Sequence, residues 1–195
     1  TRLISSLKNI LKQMSSYIEV YGIKYKLPAK PEIIDNVDLD KEYQKFYKTE
    51  APDIFDELEF DEDGSPIYSD EQRDFIIQEW RRINDGYWFL NNGQVTYITG
   101  LHYFYLNYWT LEDGNNPDYR DVDRRYYFFQ DYCEALPYCF GIVRIKKRRE
   151  GATSQATAYL VWKSITKRKS FCGIISKTGK DASDVGTRAK AIKSM

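Results

Sequence analysis

The residues best suited to chemistry in this 195-residue chain lie between Val143 and Ser154. The apolar run at residues 139–145 predicts a buried strand, and residues 155–166 have the spacing of a helix. Between them lie four cations, a glycine and two hydroxyls, in the order Lys146-Lys147-Arg148-Arg149-Glu150-Gly151-Ala152-Thr153-Ser154. A strand, a cationic turn with glycine and a helix can hold the phosphates of a nucleotide. The turn amides and the helix N-terminus carry partial positive charge, and a hydroxyl can bind Mg²⁺.

The spacing departs from the usual G-x-x-x-x-G-K-[ST] phosphate loop at its most important cation. Gly151 and Thr153 are in place, but Lys146 stands at the first glycine position and Ala152 at the lysine position. The missing charge can come from Lys146, Arg148 or Arg149, and an arginine can contact two phosphate oxygens at once. The pattern alone is loose, because a basic strand end followed by a glycine turn is common.

Charge is distributed unevenly along a chain whose formal net charge is zero. Residues 144–195 contain 14 of the 29 lysines and arginines but three of the 29 acidic residues. This asymmetry predicts an anionic ligand on the basic side; the alternative is two ordinary solvated faces that attract each other.

Cysteine and histidine usage points away from metal and disulfide frameworks. The chain has three cysteines and one histidine, without zinc spacing, so we expect buried, inert thiols and a reducing compartment. No apolar run approaches the length of a membrane span, and no signal-peptide pattern is visible.

The N-terminal third is expected to form an arm, with a domain boundary between residues 66 and 67. Apolar residues at helical spacing predict an amphipathic helix over residues 3–18, which packs on its own domain or docks on another subunit. Residues 22–66 are expected to be irregular, with a short helix over residues 41–47 and a solvated acidic loop at residues 53–63.

Local signals are strong in the middle of the chain. Ser69 and Gln72 form a capping box, which predicts a helix that ends near Gly86. Residues 87–90 and 94–98 flank an Asn-Gly pair and predict a β-hairpin.

Two more helices are expected before the cationic turn. Thr99 can cap a helix through Trp109 that is aromatic nearly all round and therefore buried, with His102 as a hydrogen-bonded core residue. A further helix starts at Asp121 or Asp123 and runs to about Leu136.

The end of the chain repeats the strand–turn–helix order. Residues 171–175 predict a second buried strand, residues 176–180 a polar turn, and Asp181 opens a last helix. Strand, helix and strand predict an α/β fold with a parallel sheet. Both cationic turns would follow the carboxyl ends of strands, where such sheets bind ligands.

Three stretches of the chain resemble the large terminase subunit of tailed bacteriophages, the ATPase that pumps DNA into the capsid. They are the aromatic segment at residues 97–109, the turn from Lys146 through Arg148, Arg149 and Gly151 to Thr153, and residues 174–182. Together they cover about residues 70 to 190. The resemblance implies a P-loop NTPase-type parallel-sheet core, incomplete here, with an N-terminal helical and aromatic extension. Residues 67–195 would be the N-terminal part of the ATPase domain.

The resemblance also implies roles for individual residues. Lys146 and either Arg148 or Arg149 would contact the β- and γ-phosphates of ATP. The amides of Gly151, Ala152 and Thr153 would bind phosphate, and the Thr153 hydroxyl, or Ser154 in its place, would hold Mg²⁺. Gln130 would read the adenine, and Arg125 and Tyr126 would stack on the base or flank it.

At the level of function, the resemblance implies ATP-driven translocation of double-stranded DNA into a viral capsid. The implied partners are DNA, a portal protein, a small terminase subunit and further copies in a ring, in the host cytoplasm and transiently at the portal vertex, without a membrane. The acidic metal and base motif and the nuclease domain of the family do not occur up to Met195, so we expect the N-terminal part of a longer protein. The alternatives are a helicase or another nucleic-acid-dependent P-loop ATPase, and a DNA-binding virion or adaptor protein without enzymatic activity.

Overall fold

The computed structural model describes residues 17–32, 34, 53–56, 58–111, 113–147, 150–173 and 175. The helices are α1 (Asp70–Asp85), α2 (Gly100–Asn107), α3 (Asp121–Ala135) and α4 (Ala152–Thr166). The strands are β1 (Tyr17–Val20), β2 (Ile23–Lys26), β3 (Glu59–Phe60), β4 (Pro66–Ile67), β5 (Tyr87–Asn91) and β6 (Gln94–Ile98), and Asp53–Phe55 form a 3₁₀ turn. The predicted elements at residues 3–16, at residues 41–47 and after Asp181 lie outside the described residues.

Helix α2 is the centre of the fold. All eight of its residues are buried, and it contacts α1, α3 and α4. The prediction of an aromatic helix buried on most sides is confirmed, and so is its cap, because the Thr99 hydroxyl accepts a hydrogen bond from His102 N at 3.3 Å. The helix ends at Asn107, two residues earlier than expected. The surrounding core is formed by Ile83, Phe89, Ile98, Leu101, Tyr103, Phe104, Tyr105, Leu106, Trp109, Tyr127, Ala158, Val161 and Trp162.

Three helices meet at the Ile83 carbonyl. A Cβ on Gly100 would collide with this oxygen, so the start of α2 lies directly against the end of α1. Trp162 of α4 donates its indole N–H to the same carbonyl at 2.9 Å. The junction therefore requires a residue without a side chain at the first position of α2.

The capping box and the central hairpin form as predicted. The Ser69 hydroxyl accepts from Gln72 N at 3.2 Å, and the Gln72 side chain accepts from Ser69 N at 2.8 Å. Strands β5 and β6 pair in antiparallel register from Tyr87–Ile98 to Asn91–Gln94. The bend between them has Asn92 and Gly93 at positive φ, 48° and 76°, as an Asn-Gly hairpin turn requires.

The N-terminal segment corrects two predictions. Residues 17–18 belong to β1 rather than to a helix, and residues 23–26 form β2 rather than irregular chain. The two strands are joined by Tyr21 and Gly22, both at positive φ, which is the geometry of a tight hairpin. The hairpin packs on α3 through Tyr25 and Phe128, whose ring centroids are 5.4 Å apart.

Part of the acidic stretch forms regular structure. A second small hairpin pairs Glu59 with Ile67 and Phe60 with Pro66, where a solvated loop was expected up to residue 63. The Asp61 carboxylate closes its turn by accepting from the amides of Asp63 and Ser65, at 3.0 and 2.8 Å.

The two apolar runs that predicted buried strands do not form strands in the described part of the chain. Residues 139–145, 171–173 and 175 are irregular. The side chains of Phe140, Val143, Ile145, Phe171 and Ile175 are 94–99% exposed. The pattern misled because an apolar run becomes a buried strand only where a neighbouring strand pairs with it, and each described sheet is a two-stranded antiparallel hairpin. A parallel P-loop-type sheet therefore stays a prediction.

Among the described helices, none combines the length and the apolar character that a membrane crossing requires.

Candidate functional site

A cavity of about 460 Å³ lies between α3, α4 and the extended segment at residues 139–142. Its size is that of a site for a small organic ligand. It is lined by Tyr126, Gln130, Cys133 and Glu134 of α3, by residues 139–142, and by Ala156, Tyr159 and Lys163 of α4. Gln130 and Tyr126, two of the three residues expected to contact a base, thus lie in the wall of one cavity.

Gln130 is the polar residue of greatest interest in this cavity. It is only 4% exposed, and within the described structure its amide oxygen has no hydrogen-bond partner. A buried acceptor without a partner costs about 1–3 kcal/mol. The residue lines the cavity, but this oxygen has almost no accessible surface, so a ligand would reach it only after the amide turns towards the cavity.

Arg144 covers one face of the Tyr126 ring. Its guanidinium carbon lies 4.0 Å from the ring centroid, and its Nη1 donates to the side-chain oxygen of Gln155. Because this face is occupied, Tyr126 is placed to flank a base rather than to stack on it from that side.

A buried carboxylate connects α3 to the start of α4. Asp123 is 1% exposed and accepts two hydrogen bonds from Arg120, both at 2.8 Å, and one from Gln155 Nε2 at 2.6 Å. Arg120 also donates to the Glu150 carbonyl at 3.2 Å. Burial raises the pKa of Asp123, although hydrogen bonding and charge from Arg120 and charge from Arg144 oppose that shift. These contacts fix the position of the α4 N-terminus relative to the cavity.

The α4 N-terminus begins at a partly exposed glycine turn. Gly151 has φ 74° and precedes the helix, and the bond from Gln155 N to Gly151 O, 3.0 Å, starts the helical ladder. The amides of residues 152–154 come before that bond, and among the described residues no side chain caps them. Gly151 and Thr153 are exposed, while Ser154 is buried, so Thr153 is the better-placed hydroxyl for a ligand.

The predicted cations are placed as follows. Lys146 is exposed, and its amine donates to the neighbouring Lys147 carbonyl at 3.3 Å. Arg148 and Arg149 lie outside the described residues. Arg125 forms an ion pair with Asp121 at 2.9 Å, is 59% exposed and does not line the cavity. The structure therefore does not bring Arg125 together with Gln130 and Tyr126.

Sequence reasoning missed the residues that organise this region. Arg120, Asp123, Arg144 and Gln155 were given no role at the site, and neither was Lys163, which donates to Glu134 at 3.2 Å and to the Tyr159 hydroxyl at 2.7 Å. The one available signal was the spacing of Arg120 and Asp123, three apart at a helix start. Contacts between α3 and α4 span about 30 residues of sequence and leave no local pattern.

Within the described ranges, no three histidine, cysteine or acidic side chains form a cluster that could hold a metal ion.

Comparisons of the chain with protein-family models, with curated proteins and with solved structures gave no significant match.

Proposed function

We propose that this chain is the ATP-binding part of a large terminase subunit, the motor that moves double-stranded DNA into a viral capsid. One observation supports the proposal: a cavity lined by Gln130, whose amide oxygen has no partner among the described residues, lies alongside the helix whose uncapped N-terminus follows the cationic turn. This is the arrangement of parts that a nucleotide with a base and a phosphate chain requires.

Adenine suits the cavity wall. A glutamine amide can pair with adenine by accepting from N6 and donating to N7, and the Gln130 acceptor is free for the first of these bonds. Tyr126 and Tyr159 line the same cavity and offer aromatic surface to a planar base. Binding would also supply the hydrogen bond that the buried oxygen lacks.

The phosphates would extend from the cavity towards the start of α4. Thr153 precedes the cavity-lining Ala156 by three residues, which places it on the same side of the helix about 4.5 Å along the axis. The uncapped amides of residues 152–154 and the helix dipole favour an anion there. Lys146 and Arg148 or Arg149 would add cationic contacts, and Thr153 would contribute a hydroxyl to Mg²⁺.

The described residues bind and position the nucleotide in this proposal. Asp123, Arg120 and Gln155 hold the turn against α3, so that base and phosphates are held at a fixed separation. Hydrolysis further needs an acidic group that orients water and metal, and the family supplies it from another strand. The parallel sheet of that ATPase core belongs to the proposal as well.

DNA would contact exposed cationic side chains in the segments before and after α4. Lys147 and Lys169 are exposed beside the segments that flank α4, and contacts from such side chains to DNA phosphates carry no sequence information. This suits a motor that must move along any sequence. The other proposed partners are a portal protein, a small terminase subunit and further copies of the chain in a ring. The chain would meet them in the host cytoplasm and at the portal vertex.

Binding of Mg-ATP tests the proposal. Isothermal titration should give a measurable affinity for the chain, and Arg149→Ala and Thr153→Ala should each weaken it by about tenfold or more, since a hydrogen bond to a charged group contributes about 1.5–3 kcal/mol. Arg81→Ala, an exposed arginine on α1, is the matched control and should leave the affinity unchanged.

Unchanged affinity in both Arg149→Ala and Thr153→Ala would contradict the phosphate-site assignment. Absence of any ATP binding, with DNA binding retained, would favour a virion or adaptor protein that binds DNA through its basic face.

A further inference from the structure

The cavity also contains two cysteines, Cys133 and Cys139, that the proposed nucleotide site does not use. Cys133 lies in the last turns of α3 and is 8% exposed, whereas Cys139 follows the helix and is half-buried. Both line the cavity, where the Cys139 thiol donates to the Gly141 carbonyl at 3.6 Å and lies near enough to Cys133 to raise its pKa.

The backbone brings these two residues together. After α3 the chain makes two successive turns, in which Leu136 N donates to Cys133 O at 3.3 Å and Cys139 N donates to Leu136 O at 3.1 Å. These turns fold Cys139 back against the helix that carries Cys133. The short intervening segment keeps the thiols at high effective concentration, which favours ring closure.

We propose that Cys133 and Cys139 are a dithiol site that forms a reversible disulfide and thereby fastens the 139–142 wall of the cavity to α3. The residues that follow Cys139 have no helix or strand of their own as far as Lys147, so a covalent bond would supply a restraint the backbone lacks. The proposal does not depend on the identity of the cavity's ligand.

The disulfide can form by thiol–disulfide exchange, with a small disulfide such as oxidised glutathione as the oxidant. The more exposed Cys139 loses its proton and attacks one glutathione sulfur, the glutathione disulfide breaks, and a mixed disulfide forms as one glutathione thiolate leaves. The Cys133 thiolate then attacks the Cys139 sulfur and releases the second glutathione. Two protein thiols are oxidised, one glutathione disulfide is reduced to two thiols, and the protons end on glutathione.

The environment of Cys133 suits it to the second step. Burial and the neighbouring Cys139 thiol raise the pKa of Cys133, so it is a poor first nucleophile. Once Cys139 carries glutathione, its sulfur lies beside Cys133, and proximity compensates for the low thiolate fraction.

The test uses the full chain, reduced and then exposed to oxidised glutathione at pH 8. After quenching with an alkylating agent, intact mass spectrometry should show that two of the three thiols are no longer alkylated, without retained glutathione, and peptide mapping should link Cys133 to Cys139. Cys172→Ser should behave in the same way. Cys133→Ser should instead retain one glutathione on Cys139.

Two further readouts guard against misfolded variants. Phenylarsine oxide, which bridges paired thiols, should bind the unmodified chain in a one-to-one ratio and lose that binding in Cys133→Ser. Oxidation should also slow tryptic cleavage after Arg144, Lys146 and Lys147. The proposal fails if the unmodified chain keeps single glutathione adducts, if Cys172 replaces either partner in the bridge, or if all three thiols remain alkylated.

Discussion

Two buried polar side chains with unpartnered atoms show how different such residues can be. Gln130 lines a cavity, and its covered amide oxygen has no hydrogen-bond partner among the described residues. His102 is packed between the rings of Tyr119 and Tyr127, at centroid distances of 5.6 and 5.1 Å, and within the described structure neither ring nitrogen has a hydrogen-bond partner. The sequence predicted its burial correctly but was wrong about its hydrogen bonding, because its neighbours present aromatic faces instead of acceptors.

The packing of His102 predicts a pH-dependent stability. Burial, with the charges of Arg124 and Arg120, lowers the pKa of His102 to about 3, below the ordinary value near 6.5. Between these values the unfolded chain binds the proton and the folded chain does not, so stability falls as pH falls from about 6.5 towards 3. Urea unfolding should show that, from pH 7 to pH 5.5, the free energy of unfolding falls by about 1 kcal/mol more in the unmodified chain than in His102→Phe.

Only the difference in pH dependence matters for this comparison, since the substitution also changes packing. Equal loss of stability in the two proteins over this pH range would mean that His102 is protonated in the folded state.

At the scale of elements, prediction succeeded where the signal was local. Ser69 with Gln72, the Asn92-Gly93 bend and Thr99 each determine a cap or turn through residues within a few positions, and each formed as expected. The strand predicted at residues 139–145 did not form, because a strand depends on a distant partner that the apolar run itself does not specify.

The same division applies to the candidate site. Gln130 and Gly151 were named from their positions relative to a motif; Gln130 lies in the cavity wall and Gly151 directly before α4, while their roles stay predictions. The Arg144–Gln155–Asp123 connection was not found, because it joins residues on different elements whose contact depends on how α3 and α4 pack.

The junction at Ile83 gives a prediction at this scale. Gly100→Ala places a Cβ against the Ile83 carbonyl, which also accepts the Trp162 bond, and neither backbone can move without separating α1 from α2. Chemical denaturation should show a loss of about 1–3 kcal/mol or more in the free energy of unfolding. Gly173→Ala, where an added Cβ meets nothing within 4 Å, is the control and should be close to neutral.

A Gly100→Ala protein as stable as the Gly173→Ala protein would mean that the helices do not approach each other as closely as the structure shows.

At the scale of the whole molecule, the described residues form a helical core around α2, and β1 and β2 pack on α3. The most exposed of the described large apolar side chains lie in the two irregular segments on either side of α4. The basic turn precedes the same helix, and the cavity lies along its side. Helix α4 thus connects the features on which the functional proposal depends.

The most direct test of that proposal is to find where a nucleotide touches the chain. Photolabelling with 8-azido-ATP and Mg²⁺, followed by peptide mapping, should mark the cavity-lining parts of α3 or α4, around Tyr126 or Tyr159. Excess ATP should suppress the labelling, and Gln130→Leu should reduce it. Labelling confined to peptides remote from the cavity, or labelling that ATP does not compete away, would contradict the account.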